Sequence, residues 1–303
     1  MATELMPTAS APAAGLATDS VYALARHVGV VRRSMPLGRE APMKVAALYD
    51  IHGNLPALEA VLAAVRAAGV DRIVIGGDVV PGPMPRETMS ALMSLETPVH
   101  FVRGNGEREI LGVLRGTGLS ASVPEAFHDA MRWVARDLSA EQAALLASWP
   151  LTVRLMLPDL GEVLFCHATP RDDGEIVTRL TPAERLLPVF ESSGAAVIVC
   201  GHTHMQFDRV IGGVRVVNAG SVGMPFGTPG ADWLLLGPGV ELRHTSYDLS
   251  AAARRVRSTA YPQGPQFAEN HILKPPPEAD MLAVFEPLAI AESDERPGRS
   301  LTK

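Results

Sequence analysis

Cysteine is scarce in this chain: 303 residues contain two, Cys166 and Cys200. Both end apolar runs, VLFC and VIVC, where a small buried strand residue is the ordinary role. So few thiols exclude a disulfide framework and fit a reducing, cytoplasmic home. Long apolar runs are also missing. No stretch approaches the roughly 18 residues that a membrane-crossing helix requires, so no membrane association is expected. Aromatic residues make up 5% of the chain, and its net charge is −6 with a pI near 5.9. That balance offers no basic groove lined with stacking rings, so nucleic acid has no support as a partner.

What is present is an ordinary globular composition, 47% hydrophobic and 20% charged, in a chain long enough for a full core. The stretch MATELMPTASAPAAGLATDS is rich in Ala, Pro, Ser and Thr, and the next apolar run is interrupted by Arg26 and His27. Residues 1–42 are therefore expected to be a disordered extension, with one short helix around 20–31, and not a secretory signal. A domain is expected over 43–250, and a helix and tail over 251–303, docked through Leu282, Val284 and Phe285. No repeat at a solenoid period is visible.

From residue 43 onward, apolar runs end in polar clusters and give way to helical patterns. KVAALYDIHGN leads into LPALEAVLAAVRAAG, whose Leu58, Val61, Leu62 and Val65 form one stripe ahead of a C-capping Gly69. DRIVIGGD and HFVRGN each lead into a further helix, and SAEQAALLASW opens with a capping box of Ser139 and Gln142. The helical segment 107–150 is expected to cap one side of a site, with Trp133 and Trp149 anchoring it. QFDRVIGG, VRVVNAGS, DWLLLGPG and VELRHTSYD follow closely enough to be antiparallel strands. The pattern predicts an α/β protein built on two mixed sheets with helices outside.

Chemistry-bearing residues gather at the carboxyl ends of those strands, where ligands bind in open α/β folds. They are Asp50-Ile51-His52-Gly53-Asn54, Gly77-Asp78, Gly104-Asn105, His167 and Gly201-His202-Thr203-His204. Alone, each fragment reads as a turn, a cap or a hydrogen-bonded histidine. Together they supply two carboxylates, one amide oxygen and four imidazoles. In Asp50-x-His52 and His202-x-His204 the alternation of an extended chain sends both side chains to one face. Such an N/O donor set without thiolate suits Mn²⁺ first, and also Fe²⁺, Co²⁺, Ni²⁺ or Zn²⁺. Seven groups exceed what one ion with open positions takes, whereas two ions sharing a carboxylate use them all.

In this order the blocks resemble the calcineurin-like metallophosphoesterase superfamily, which runs Asp-x-His, Gly-Asp, Gly-Asn-His, His and Gly-His-x-His. The resemblance covers about residues 44–250, and DIHGNLPALEAVL and NAGSVGMP resemble its small bacterial phosphodiesterase branch. It implies a four-layer αββα sandwich with a two-metal centre. Asp50, His52 and His204 would hold the first ion, Asn105, His167 and His202 the second, and Asp78 would bridge them. Asp78, Asn105 and His167 would carry the chemistry most directly. The implied reaction is in-line attack on a phosphodiester by a hydroxide bridging the ions.

One position departs from the pattern. Gly106 stands where the family commonly has a histidine, implied to protonate the leaving group. The lack of a general acid typically costs ~10²–10⁴-fold with a poor leaving group and less with an acidic one. Because some relatives in the branch it resembles also lack this histidine and are regarded as phosphodiesterases, the resemblance implies diesters ahead of unactivated monoesters. Around the ligands, Asn54, Arg108 and Arg171 are candidate substrate contacts for a small phosphate ester; Asn54 also fits a helix N-cap, and Arg108 an exposed helix-end charge. Asp172 and Asp173 read as solvated loop acids. His27, His100, His128, His244 and His271 follow no pattern and read as structural or surface groups, and Met84, Met89 and Met93 as core packing. A phosphomonoesterase acting on small molecules or phosphoproteins is the alternative within the same chemistry, and a non-catalytic metal-binding scaffold the alternative from another class. A homo-oligomer remains open.

Overall fold

The computed structural model describes residues 43–295, with side chains to residue 289. The expected 1–42 extension, its helix around 20–31 and His27 lie outside the described residues, as does the end of the expected tail.

Strand β1 (Val45–Leu48) is buried on both faces and sits in the middle of a five-stranded sheet. It pairs in parallel with β2 (Arg72–Ile75), which pairs in parallel with β3 (Val99–Phe101). Helix α1 (Leu55–Ala68) joins the first two strands and α2 (Pro85–Met93) the next two; α3 (Asn105–Leu114), α4 (His128–Asp137) and α5 (Ala140–Ser148) follow β3. A second five-stranded sheet contains β4 (Thr152–Leu157), β5 (Gly161–Cys166), β6 (Val197–Cys200), β7 (Phe207–Ile211) and β8 (Val214–Asn218), with α6 (Ala183–Glu191) between β5 and β6. The late strands form the expected antiparallel hairpins, but these part company. The hairpin of β7 and β8 stays in the second sheet, whereas β9 (Ala231–Leu236) and β10 (Val240–Thr245) return to the first, β9 antiparallel to β1.

Side-chain alternation along the strands sorts the core into layers. Ala46 and Leu48 of β1 pack outward with Leu58, Val61 and Val65 of α1. Val45, Ala47 and Tyr49 face inward and meet Phe165, Val199 and Val217 of the second sheet. Leu164, Ile198 and Val216 point away from that interface onto Leu186 and Phe190 of α6. The result is the expected αββα sandwich. Tyr49 spans the middle layer, its hydroxyl donating to the Val199 carbonyl at 3.0 Å, so the sheets are joined by a buried hydrogen bond as well as by apolar area. Each fully buried aliphatic side chain stabilises this core by about 1.5–3 kcal/mol.

Local signals hold. Gly69 ends α1 at φ +62°, and Asn54 caps its start through Ala57. Ser139 and Gln142 exchange both bonds of the capping box. Trp149 stacks on Phe101 with ring centroids 4.6 Å apart, and Trp133 meets Tyr261 edge-on. Met84 and Met89 are buried, but Met93 is exposed. Beyond the sheets come α7 (Leu249–Arg257), a short helix α8 (Gly264–Phe267) that continues as a π-helical stretch (Ala268–Leu273), and α9 (Glu278–Glu295). Ala253, Val256, Phe267 and Ile272 give these elements a small core of their own. Leu282 is buried and Val284 exposed. Among the described residues no helix is long and apolar enough to cross a membrane.

Candidate metal centre

Strands β1, β2, β3, β5 and β6 all deliver their carboxyl ends to one place. Asp50 follows β1, Asp78 follows β2, Asn105 opens α3, His167 follows β5, and His202 and His204 follow β6. Five of these ligand candidates lie at positive φ without being glycine: Asp50 (+53°), His52 (+48°), Asp78 (+51°), His202 (+67°) and His204 (+57°). Such conformations are uncommon for residues with a Cβ and collect at functional sites. Each turns the chain sharply at the strand tip and aims the side chain inward. Gly77 (φ +96°) allows a close approach of neighbouring tips, because a Cβ there would lie 2.6 Å from the Gly104 nitrogen and 2.7 Å from His167 Nδ1.

Asp50 is at the centre. Its Oδ2 accepts the His202 backbone N–H at 2.8 Å. Its Oδ1 is buried and has no hydrogen-bond partner, yet the Nε2 atoms of His204, His167 and His52 surround it at 3.4, 3.8 and 3.9 Å. Those three rings are oriented from behind: Nδ1 of His52 faces the Pro81 carbonyl at 3.0 Å, that of His167 the Gly76 carbonyl at 2.9 Å, and that of His204 the Met224 carbonyl at 3.0 Å. A carbonyl only accepts, so each Nδ1 carries the proton and each Nε2, in the neutral ring, turns its lone pair into the cluster. Nε2 of His52 and His204 are 3.1 Å apart, and Nε2 of His167 is 3.0 Å from Asn105 Oδ1. Lone pairs converge at these distances where a cation draws them together.

Two donor groups emerge, Asp50 with His52 and His204, and Asp50 with Asp78 and His167. Asn105 joins the second through His167, and His202 packs against the His167 ring with centroids 5.2 Å apart. The donor set fits divalent ions, and an orphaned buried carboxylate oxygen amid imidazole lone pairs is the observation that fits best. Asp50 reaches histidines of both groups, as Asp78 does, with 3.6 Å to His167 and 3.9 Å to His52.

The charges agree. Burial, then the neighbouring His204, lowers His52 to about 3, and burial with His167 lowers His202 to about 3, so both rings are neutral at pH 7. Burial would raise the Asp50 carboxyl, but His204 and His167 outweigh it and hold it below the usual carboxylate range. Burial, opposed by His167 and reinforced by Glu107 and Asp50, pushes Asp78 up to about 7. Burial would lower His167, but Asp78 and Asp50 hold it above its ordinary value; this ring lies where positive charge is most favoured.

The match that decides the family spans residues 43–236, which fit the calcineurin-like phosphoesterase superfamily domain. The chain belongs to that superfamily. The uncharacterized protein MJ0912 of Methanocaldococcus jannaschii is 26% identical over 243 residues, 72% of this chain and 94% of that protein. In fold the chain resembles PH1004 of Pyrococcus horikoshii OT3, with a TM-score of 0.65 at 20% identity, covering 76% of this chain and 98% of the other. It also resembles a metallophosphoesterase of Sphaerobacter thermophilus, with a TM-score of 0.58 at 24% identity over 75% and 97% of the two chains.

The other candidate residues lie around the centre. Asn54 is fully buried; its amide donates to the Gly223 carbonyl and its oxygen caps α1. Arg108 pairs with Asp173 at 3.1 Å and Glu109 at 3.0 Å. Arg171 is gripped by Glu175. Asp173 is not solvated as expected: its side chain is 11% exposed because Arg108 covers it.

Two residues that sequence reasoning passed over matter here. Glu107 is fully buried, and its carboxylate accepts the backbone N–H groups of Asp78 (2.8 Å), Val79 (2.7 Å), Val80 (3.3 Å) and Gly104 (2.9 Å). It thereby locks the Asp78 and Asn105 tips together. Each oxygen receives two donors, so neither tolerates an amide NH₂. We expect Glu107→Gln to lower unfolding stability by ~1–3 kcal/mol, measured by denaturant titration; an unchanged midpoint would contradict that role. His271 is the second. It lines a cavity of about 420 Å³ together with His52, Asp78, Asn105 and Gly106. Burial, then His204, lowers its imidazole to about 4.

Proposed function

We propose that this chain is a dinuclear metal-dependent phosphodiesterase. Asp50 Oδ1, buried and unpartnered among three inward-facing imidazole nitrogens, carries the metal part of the reading. Asp50, His52 and His204 would hold one ion, and Asn105, His167 and His202 the other, with Asp78 between them; Asp50 also stands close enough to serve both. When bound, such ions supply Lewis acidity and ready ionisation of water near neutral pH.

The chain's own residues do the rest. The backbone carbonyls of Pro81, Gly76 and Met224 fix the imidazole tautomers, so the donor atoms are set before substrate arrives. Glu107 holds the Asp78 backbone N–H and the Gly106 N–H donates to Asp78 Oδ1 at 2.7 Å, which together fix the carboxylate that would lie between the two ions. Positioning and charge neutralisation are what phosphoryl transfer asks of a protein.

The preference for a diester rests on the adjoining cavity. Among the described residues no lysine or arginine lines it, so a monoester's second negative charge would find no cationic side chain there beside the ions themselves. With Gly106 in place of the family's histidine, the reading also favours substrates with acidic leaving groups. The test compares bis(4-nitrophenyl) phosphate with 4-nitrophenyl phosphate on Mn²⁺-loaded protein, with metal-stripped protein and Asp78→Asn as controls. The diester should lead by about ten-fold or more in kcat/KM, and both controls should be inactive. A monoester preference, or two bound ions with no hydrolysis, would overturn the assignment.

A further inference from the structure

The superfamily domain ends at residue 236, yet one wall of the cavity is built by later residues. Tyr261, Gln266, Asn270 and His271 come from the segment that includes α8 and its π-helical continuation. The facing wall comes from the helical segment after β3, with Phe127 and Met131, and Asp78 and Gly106 stand at the metal-centre end. Two additions to the core sandwich therefore enclose a space that opens on the centre.

The chemistry of this space is specific. Tyr261 is fixed by edge contacts with Trp133 and Phe267, at centroid distances of 5.5 and 6.4 Å, so an aromatic face is held ready for a flat ligand. Gln266 and Asn270 are four residues apart and reach the same cavity. Both are exposed, and among the described residues neither side-chain amide has a hydrogen-bond partner. Each amide carries a donor and an acceptor, the complement of a base edge. His271 stands at the junction with the centre, its ring tilted against Phe267 at a centroid distance of 5.1 Å and its Nδ1 buried without a partner. The volume, about 420 Å³, suits a small organic ligand.

We infer that this wall is the specificity site for the organic group of the ester, and that it takes a flat, uncharged, hydrogen-bonding heteroaromatic group such as a nucleoside. The inference rests on the phosphodiesterase reading. The nucleoside part of a nucleoside phosphodiester stacks against Tyr261 and presents its base edge to Gln266 and Asn270. Flat faces and paired amides are how bases are read outside a helix. The lack of a lysine or arginine on the lining disfavours a polyphosphate tail.

The experiment has two readouts. The first compares hydrolysis of uridine 5′-(4-nitrophenyl) phosphate and adenosine 5′-(4-nitrophenyl) phosphate with that of methyl 4-nitrophenyl phosphate, in wild type and in the Gln266→Ala/Asn270→Ala double variant. At least one nucleoside ester should exceed the methyl ester by about ten-fold in kcat/KM, and the double variant should bring that ratio near one without slowing the methyl ester. The second is saturation-transfer NMR of free uridine and adenosine on Zn²⁺-loaded protein, where the signal should be strong in wild type and lost in the variant. Both substituted residues are exposed, and a thermal melt verifies folding. Methyl-ester hydrolysis with no nucleoside advantage and no saturation transfer would overturn the inference and leave the phosphodiesterase reading standing. Nucleoside binding that the variant loses, on a protein that cleaves no ester, would support the wall and overturn the enzymatic assignment.

Discussion

Asp50→Asn is expected to abolish metal binding and reduce ester hydrolysis on the order of 10³-fold or more, while the metal-free protein becomes no less stable than wild type. The sign of the second effect follows from the hydrogen bonds. In the native chain Asp50 Oδ2 accepts from His202 N–H, and Oδ1 has no partner. An asparagine keeps an oxygen for His202 and puts an NH₂ beside the Nε2 atoms of His52 and His204, which accept in their neutral rings. The metal-free site then gains hydrogen bonds that the native carboxylate cannot make. Metal, in contrast, loses the one oxygen common to both donor groups. Thermal melts with and without Mn²⁺, alongside metal content by mass spectrometry, separate the two effects: wild type should rise in Tm with metal and the variant should not. Two ions retained per chain with activity intact would show that Asp50 is not central.

Gly106→His makes the opposite case, since the family pattern invites it as a repair. The structure predicts harm. A Cβ at residue 106 would lie 2.4 Å from Pro81 Cγ and 2.9 Å from Asp78 Oδ1. Neither neighbour yields easily: proline is a closed ring, and Asp78 is held by the Gly106 N–H at 2.7 Å. Overpacking of this kind costs typically 1–3 kcal/mol, and the displacement falls on the carboxylate between the two metal groups. We expect at least ~10²-fold loss of diester hydrolysis, with no gain on the monoester. Gly106→Ala should do most of the same damage, which separates the steric cause from anything the imidazole does. A Gly106→His enzyme with improved monoester turnover would show that Pro81 and Asp78 adjust.

Much of the site was legible because it is written in local signals. Apolar runs ending in Asp, His or Gly-Asn mark strand tips, and Ser139, Asn54 and Gly69 announce helix ends through side chains or backbone freedom that act within a few residues. What escaped depends on distant parts of the chain. Nothing in QFDRVIGG or DWLLLGPG says that their hairpins join different sheets, because that choice is made by packing against β1 and β6. Glu107 reads as an ordinary first-turn acid until the Asp78 loop brings its amides alongside. His271 sits in no motif, and its place beside the centre is set by how α8 docks against the sandwich. Asp173 seemed solvated because its cover, Arg108, is 65 residues away.

The left-handed backbone at Asp50, His52, Asp78, His202 and His204 has a practical consequence for engineering. Non-glycine residues in that region cost of order 1–3 kcal/mol each, so glycine or asparagine there would relieve the chain. A selection for heat resistance alone would thus be drawn to the very positions that surround the candidate metal centre, and would tend to dismantle it. Any campaign to harden this scaffold should hold these five codons fixed and seek its gains elsewhere.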